Sequence, residues 1–157
     1  MAWKLRCIFT GRLKEPFARD WFEHYRGRLA PHVQFTETVL RDADGRLPPE
    51  RRREAEGKAI LEALGPGDLP VVLDERGRDC TSRQFADRLR GWFEDPGRTP
   101  CFVIGGPYGF GDEVRRRAAM LLRLGSMTWP HELARVMLME QLYRAVSILK
   151  GSPYHHD

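Results

Sequence analysis

Two glycine-bearing segments hold the residue types from which a small-molecule pocket is built. The first is Ile104-Gly105-Gly106-Pro107-Tyr108-Gly109-Phe110-Gly111. The second, a helix length further on, is Gly125-Ser126-Met127-Thr128-Trp129-Pro130-His131. Each follows a short apolar run. Glycine has no Cβ, so its backbone can take positive φ and come close to a bound molecule. If the two edges meet in space, they enclose a ligand.

Known phosphate motifs do not describe this pocket. GxxxxGK[ST] is absent, and Gly105, Gly106, Gly109 and Gly111 fit GxGxxG in no register. Pro107 also removes an amide N–H where a pyrophosphate needs one. There is no GxSxG elbow, and Ser82 and Ser126 have no partner pattern around them. His24, His32, His131, His155 and His156 lack HExxH spacing, and His155-His156 reads first as a fraying end. Cys7, Cys80 and Cys101 are odd in number and far apart, so neither a zinc site nor a redox motif is expected. Cys7 and Cys101 sit in apolar runs, as small core residues do. No metal site is expected.

The elements that must position these loops follow from periodicity. Trp3 to Phe9 reads as a strand closed by Thr10-Gly11. Phe17, Trp21, Phe22 and Tyr25 recur at helical spacing over Pro16 to Leu29. Val33 to Leu40 alternates like a half-buried strand. Pro49 to Leu64 is a charged helix with Ala55, Ala59, Ile60 and Ala63 as its apolar stripe, ended by Gly65-Pro66-Gly67. Leu69 to Leu73 is a compact strand stopping at Asp74. Thr81 and Gln84 have capping-box spacing at the start of the next helix. Pro100 to Ile104 is the fourth strand, Asp112 to Leu124 the fourth helix, Ser126 to Thr128 a fifth strand, and His131 to Leu149 the last helix.

Five strands alternating with five helices imply a single α/β domain over 1–157, with a parallel sheet and right-handed crossovers. Ligands of such sheets sit beyond the carboxyl ends of the strands, which puts the turns after Leu73, Ile104 and Thr128 on one rim. The last helix is apolar all round: Leu133, Val136, Met137, Leu138, Leu142, Tyr143, Val146, Ile148 and Leu149 surround it. Burial against a second copy of the chain is expected, and Met137 and Met139 suit such an adaptable surface.

Length and charge bound the partners. At 157 residues one sizeable core is possible. No apolar run approaches the ~20 residues that cross a bilayer. Met1 to Phe9 is too short an apolar stretch for a signal peptide, so a cytoplasmic location and no membrane are expected. The balance of 26 Lys plus Arg against 22 Asp plus Glu permits nucleic-acid binding without demanding it. The runs Arg51-Arg52-Arg53 and Arg115-Arg116-Arg117 read as solvated helix faces, with phosphate contact as the alternative.

Four strings in order carry a resemblance: Ile104-Gly105-Gly106-Pro107-x-Gly109; Met127-Thr128-x-Pro130-His131-x-Leu133-x-Arg135; Glu140-Gln141-Leu142-Tyr143-Arg144-Ala145; and Pro153-Tyr154-His155. Together with the chain length they resemble the RlmH family, the small single-domain branch of the SPOUT methyltransferases. The resemblance covers nearly the whole chain and is strongest from Leu69 onward. It implies a parallel-sheet α/β fold with a C-terminal trefoil knot, a homodimer, and S-adenosylmethionine as methyl donor. It implies methyl transfer to N3 of a pseudouridine in 23S ribosomal RNA, on assembled ribosomes. By similarity Leu73, Gly106 and the run Gly125, Ser126, Met127, Thr128, Trp129 and Pro130 line the cofactor pocket. Trp129 reads equally as an ordinary rim aromatic.

The acceptor nitrogen is protonated at neutral pH, so a base or a cation steadying the anionic ring is needed. Arg144, Tyr154 and His155 are the catalytic candidates. His155 would accept the proton, Arg144 would steady the charge and Tyr154 would position the base. Their plainer readings are a helical Glu140–Arg144 pair and a tyrosine that pins the tail. His131 follows Pro130 at a helix start, where a structural role is at least as natural as catalysis. Two departures stand out: Tyr108 occupies the family's usual glutamate position, and Arg123-Leu124-Gly125-Ser126 replaces a serine-rich segment. The rivals are a transfer-RNA methyltransferase of the same superfamily and a non-catalytic RNA- or ribosome-binding protein.

Overall fold

The computed structural model describes residues 2–156. Five strands form one all-parallel sheet in the order β2-β1-β4-β3-β5. They are β1 (Trp3–Thr10), β2 (Val33–Leu40), β3 (Asp68–Arg78), β4 (Thr99–Ile104) and β5 (Met120–Leu122). The helices are α1 (Pro16–Leu29), α2 (Pro49–Ala63), α3 (Ser82–Phe93), α4 (Asp112–Arg117) and α5 (His131–Leu149), followed by a 3₁₀ turn at Pro153–His155.

β1, β3 and β4 are apolar on both faces because helices cover both. Cys7, Phe9, Val71, Phe102 and Ile104 join Leu138, Leu142 and Val146 of α5 in the larger core, which α1 and α3 complete. Ile8, Val72, Cys101 and Val103 pack on Ile60 of α2 and Val114 of α4 in the smaller one. Burial pushes the thiol of Cys101 up to about 12 and that of Cys7 well above its ordinary value, so both stay protonated core residues.

Several expected boundaries hold, and four features depart. Thr81 and Gln84 do form the reciprocal capping box at α3. The fourth helix, however, ends at Arg117, and the fifth strand is Met120–Leu122 rather than Ser126–Thr128. Met120, Leu121 and Leu122 are good helix formers that continue the helical period. Pairing with Val71, Val72 and Leu73 of β3 overrides that propensity. β3 itself does not stop at Asp74. It bulges there and resumes, so that both Leu73 and Arg78 face Leu122. Gly77 makes the return possible, since a Cβ there would lie 2.7 Å from Leu121 and Leu122 backbone atoms.

The third departure is on α2, whose buried face is Glu56, Gly57 and Ile60 rather than an alanine stripe. The fourth is on α5. One side is buried on the sheet, while Leu133, Val136, Met137 and Tyr143 on its other side are only half-buried.

Candidate active site

The two glycine segments do meet. They wall a cleft of about 910 Å³ at the carboxyl rim of β3 and β4, together with Leu73 and the bulge residues Asp74, Glu75 and Arg76. Of the eight expected cofactor residues, Leu73, Gly106, Gly125, Met127, Thr128, Trp129 and Pro130 line it. Ser126 belongs to the same exposed segment but does not reach the lining. Because β5 ends at Leu122, the whole of 123–130 is free to serve as a wall. Gly125 takes φ 109°, a conformation suited to glycine, and the indole N–H of Trp129 donates to the Leu124 carbonyl at 3.1 Å. Met127 remains 73% exposed, so its side chain has room to fold over a ligand.

The opposite wall is tightly supported. The N–H of Gly109, at φ 74°, closes a turn onto the Gly106 carbonyl at 2.9 Å. A Cβ on Gly105 would lie 2.8 Å from the Phe110 ring, and one on Gly106 2.9 Å from Oε1 of Glu56. A side chain at either position would therefore push Phe110 or Glu56 aside. Arg52 stacks on the Tyr108 ring at 4.3 Å, and Arg53 Nε donates to the Tyr108 carbonyl at 3.1 Å. On the far side Arg115 pairs with Asp74 at 2.5 Å and with Asp112 at 3.0 Å. Each arginine run thus sends residues into the cleft walls, while Arg116 and Arg117 stay exposed.

His131 and Ala134 of α5 form the cleft floor. Burial, and next the charge of Arg135, lower the pKa of His131, so the ring is neutral at neutral pH. Arg135 is fully enclosed. It donates to the carbonyls of Thr10 and Gly11 and lies over the Phe9 ring at 4.8 Å, and burial pulls its pKa down to about 10. It fastens the start of α5 to the end of β1. Glu132 does the same for α1, accepting from the N–H groups of Lys14 and Glu15.

Arg144, Tyr154 and His155 lie elsewhere. They cluster at the other end of α5, and none lines the cleft. From His131 to Arg144 the helix runs about 20 Å at ~1.5 Å per residue. Arg144 bonds Glu140 through both Nε (2.9 Å) and Nη2 (2.5 Å), and these bonds raise its pKa against the effect of burial. The Tyr154 hydroxyl donates to the same carboxylate at 3.3 Å. Arg28 and Arg144 stand over the Tyr154 ring, and Tyr143 meets it edge-on at 4.6 Å. Burial, followed by the Tyr25 hydroxyl and Glu140, pushes the phenol up, so Tyr154 is a proton donor at neutral pH. Nδ1 of His155 is buried with no hydrogen-bond partner.

A second groove of about 720 Å³ lies over α5 with α1 and α3 on its flanks. It shares the 122–125 wall with the cleft and reaches Tyr25 and Glu140, the latter a partner of Arg144 and Tyr154. Its apolar lining includes Leu133, Val136 and Met137, and Phe17 and Trp21 border it at 51% and 50% exposure. Among the described residues no three His, Cys, Asp or Glu side chains gather as metal ligands, and no helix is long and apolar enough to cross a membrane.

Residues 3–155 match the family model described as predicted SPOUT methyltransferase, and the chain belongs to that family. It is therefore a methyltransferase by descent, with the α/β parallel sheet described above. A relative from Maridesulfovibrio salexigens, named ribosomal RNA large subunit methyltransferase H, is 52% identical over 98% of both chains. One of the same name from Nitratidesulfovibrio vulgaris is 49% identical over 98% of both. A crystal structure of a probable methyltransferase from Bordetella pertussis superposes with a TM-score of 0.55 over 92% of this chain and 95% of that one. At 11% identity it speaks for the fold alone.

Sequence reasoning found the loops and the Glu140–Arg144 pair, and missed other supports. Glu56, Asp74 and Tyr25 are charged or polar residues on helices or a bulge, with no motif of their own. The one available signal was Glu56-Gly57, a buried-face pair hidden inside a charged helix.

Proposed function

We propose that this chain transfers the methyl group of S-adenosylmethionine to N3 of a pseudouridine in 23S ribosomal RNA, on assembled ribosomes in the cytoplasm, as a homodimer. The observation that carries the cofactor part is the cleft. Two glycine turns meet at the rim where α/β sheets bind ligands, and a Cβ at Gly105 or Gly106 there would force a neighbouring side chain to move. The ribosomal part is supported by relatives near 50% identity over nearly full length whose names specify large-subunit RNA. The pseudouridine and its N3 rest on the motif resemblance, as does the trefoil knot.

S-adenosylmethionine supplies an electrophilic methyl on a sulfonium leaving group, so the protein's work is orientation and charge control. Gly106 and the 125–130 segment present backbone to the adenosine portion, with Leu73, Met127 and Trp129 packing on it. The N3 proton must leave as the N–C bond forms. Tyr154 is protonated, so it serves as a positioning donor rather than as the base. His155, with an unpartnered ring nitrogen, is the acceptor candidate, and Arg144 steadies the negative ring.

Arg144 lies about 20 Å along α5 from His131, and none of the three lines the cleft. A site that uses both would take the tail from one protomer and the cleft from its partner. The apolar groove over α5, which shares a wall with the cleft and reaches Glu140, is the surface on which the second copy would seat.

The test is methyl transfer from labelled cofactor to intact ribosomes, free subunits, naked ribosomal RNA and transfer RNA. Incorporation into ribosomes is expected. Incorporation into transfer RNA alone overturns the substrate. No cofactor binding by calorimetry at hundreds of micromolar leaves only an RNA- or ribosome-binding protein.

A further inference from the structure

We propose that Glu56 is a positioning residue for the cofactor loop, an inference that rests on reading the cleft as the methyl-donor site. Helix α2 packs against the 105–111 loop at Gly57, where a Cβ would meet Gly111 N and Val114 at an ordinary contact distance of 3.6 Å. The preceding residue, Glu56, is a carboxylate only 2% exposed. Its Oε2 accepts the Ala43 N–H at 2.9 Å. Its Oε1 has no hydrogen-bond partner and stands 2.9 Å from the position a Gly106 Cβ would take. The Thr10 methyl closes the same spot from the other side at 3.4 Å.

A buried acceptor oxygen without a donor is costly, and it persists where something uses it. The use here follows from the turn. Pro107 has no N–H, and the Gly109 N–H is already engaged by the Gly106 carbonyl. The amides of Gly105 and Gly106 are among the donors left to the turn, and Oε1 faces the latter residue. In the proposed bound form the Gly106 N–H donates to Oε1. The outer face of the same glycine lines the cleft. Glu56 thus acts through Gly106, fixing the turn in the form that grips the methyl donor without touching the donor itself. Two acceptor oxygens are required, one for Ala43 and one for the turn.

Glu56→Gln separates this role from packing. The amide has the same size but offers one acceptor, so its NH₂ must face either the Ala43 N–H or the turn. Calorimetry should show adenosylmethionine binding roughly tenfold to hundredfold weaker in E56Q than in the wild type. The melting temperature should stay close to that of the wild type, because the side chain keeps its size and its packing. At saturating cofactor kcat should remain within about threefold, the loss appearing in KM. Wild-type affinity in E56Q overturns the role of Glu56 and leaves the cleft assignment standing, as does a lowered melting temperature with unchanged affinity. Failure of the wild type to bind adenosylmethionine overturns the cleft assignment itself.

Discussion

A buried phenol that donates to an ion-paired carboxylate is held in its neutral form. Tyr154 donates a hydrogen bond to Glu140, has Arg28 and Arg144 over its ring, and is pushed above its ordinary pKa of 10 by burial first, then by Tyr25 and Glu140. A raised pKa favours the neutral form in the folded chain. Its contribution to stability is therefore complete below pH 10 and is lost as pH climbs toward the elevated value. Absorbance titration should find one tyrosine ionising late, and Tyr154→Phe should remove that late step. An unchanged titration in the variant would show that the tail does not hold the ring this way. The residue identities at this cluster were legible in the sequence, since Pro153-Tyr154-His155 and Arg144 stand in recognisable strings. Their surroundings were not, because Arg28, Tyr25 and Glu140 reach Tyr154 through tertiary packing alone.

Element boundaries were readable where local chemistry decides them and unreadable where pairing does. The Thr81 capping box is local and was found at its place. Met120–Leu122 is a strand only because β3 offers an edge, so its helical composition misleads. The consequence reaches the site: shortening α4 and moving β5 forward releases 123–130 to become a cleft wall. Helix α5 shows the same division. Its all-round apolar pattern was plain, but only the structure divides it into a side packed on the sheet and a side lining an open groove. That open side is where a partner subunit would dock. A charge placed in a closed apolar contact costs several kcal/mol unless paired. Met137→Glu should therefore give a monomer mass by static light scattering at micromolar concentration and abolish methyl transfer. A dimer mass in that variant removes the α1–α5 groove as the interface.

At the scale of the whole molecule, the proposed site has two parts that do not meet within one chain. The cleft sits at the α5 start and the Arg144–Tyr154–His155 cluster at its end, with a shared wall and groove between. Under that proposal, isologous pairing through the groove would give two equivalent composite sites, each with a cleft from one protomer and a tail from the other. Gly106→Ala spoils the cleft, since its Cβ would strike Glu56 Oε1 at 2.9 Å. Arg144→Ala spoils the tail. Each homodimer should be inactive. After unfolding and refolding an equal mixture, half the dimers should be mixed, and each mixed dimer pairs one intact cleft with one intact tail. Activity should return to about a quarter of the wild-type level. A protomer that uses its own tail leaves no intact site in either subunit, so a mixture as dead as its parents would place the whole reaction within one chain.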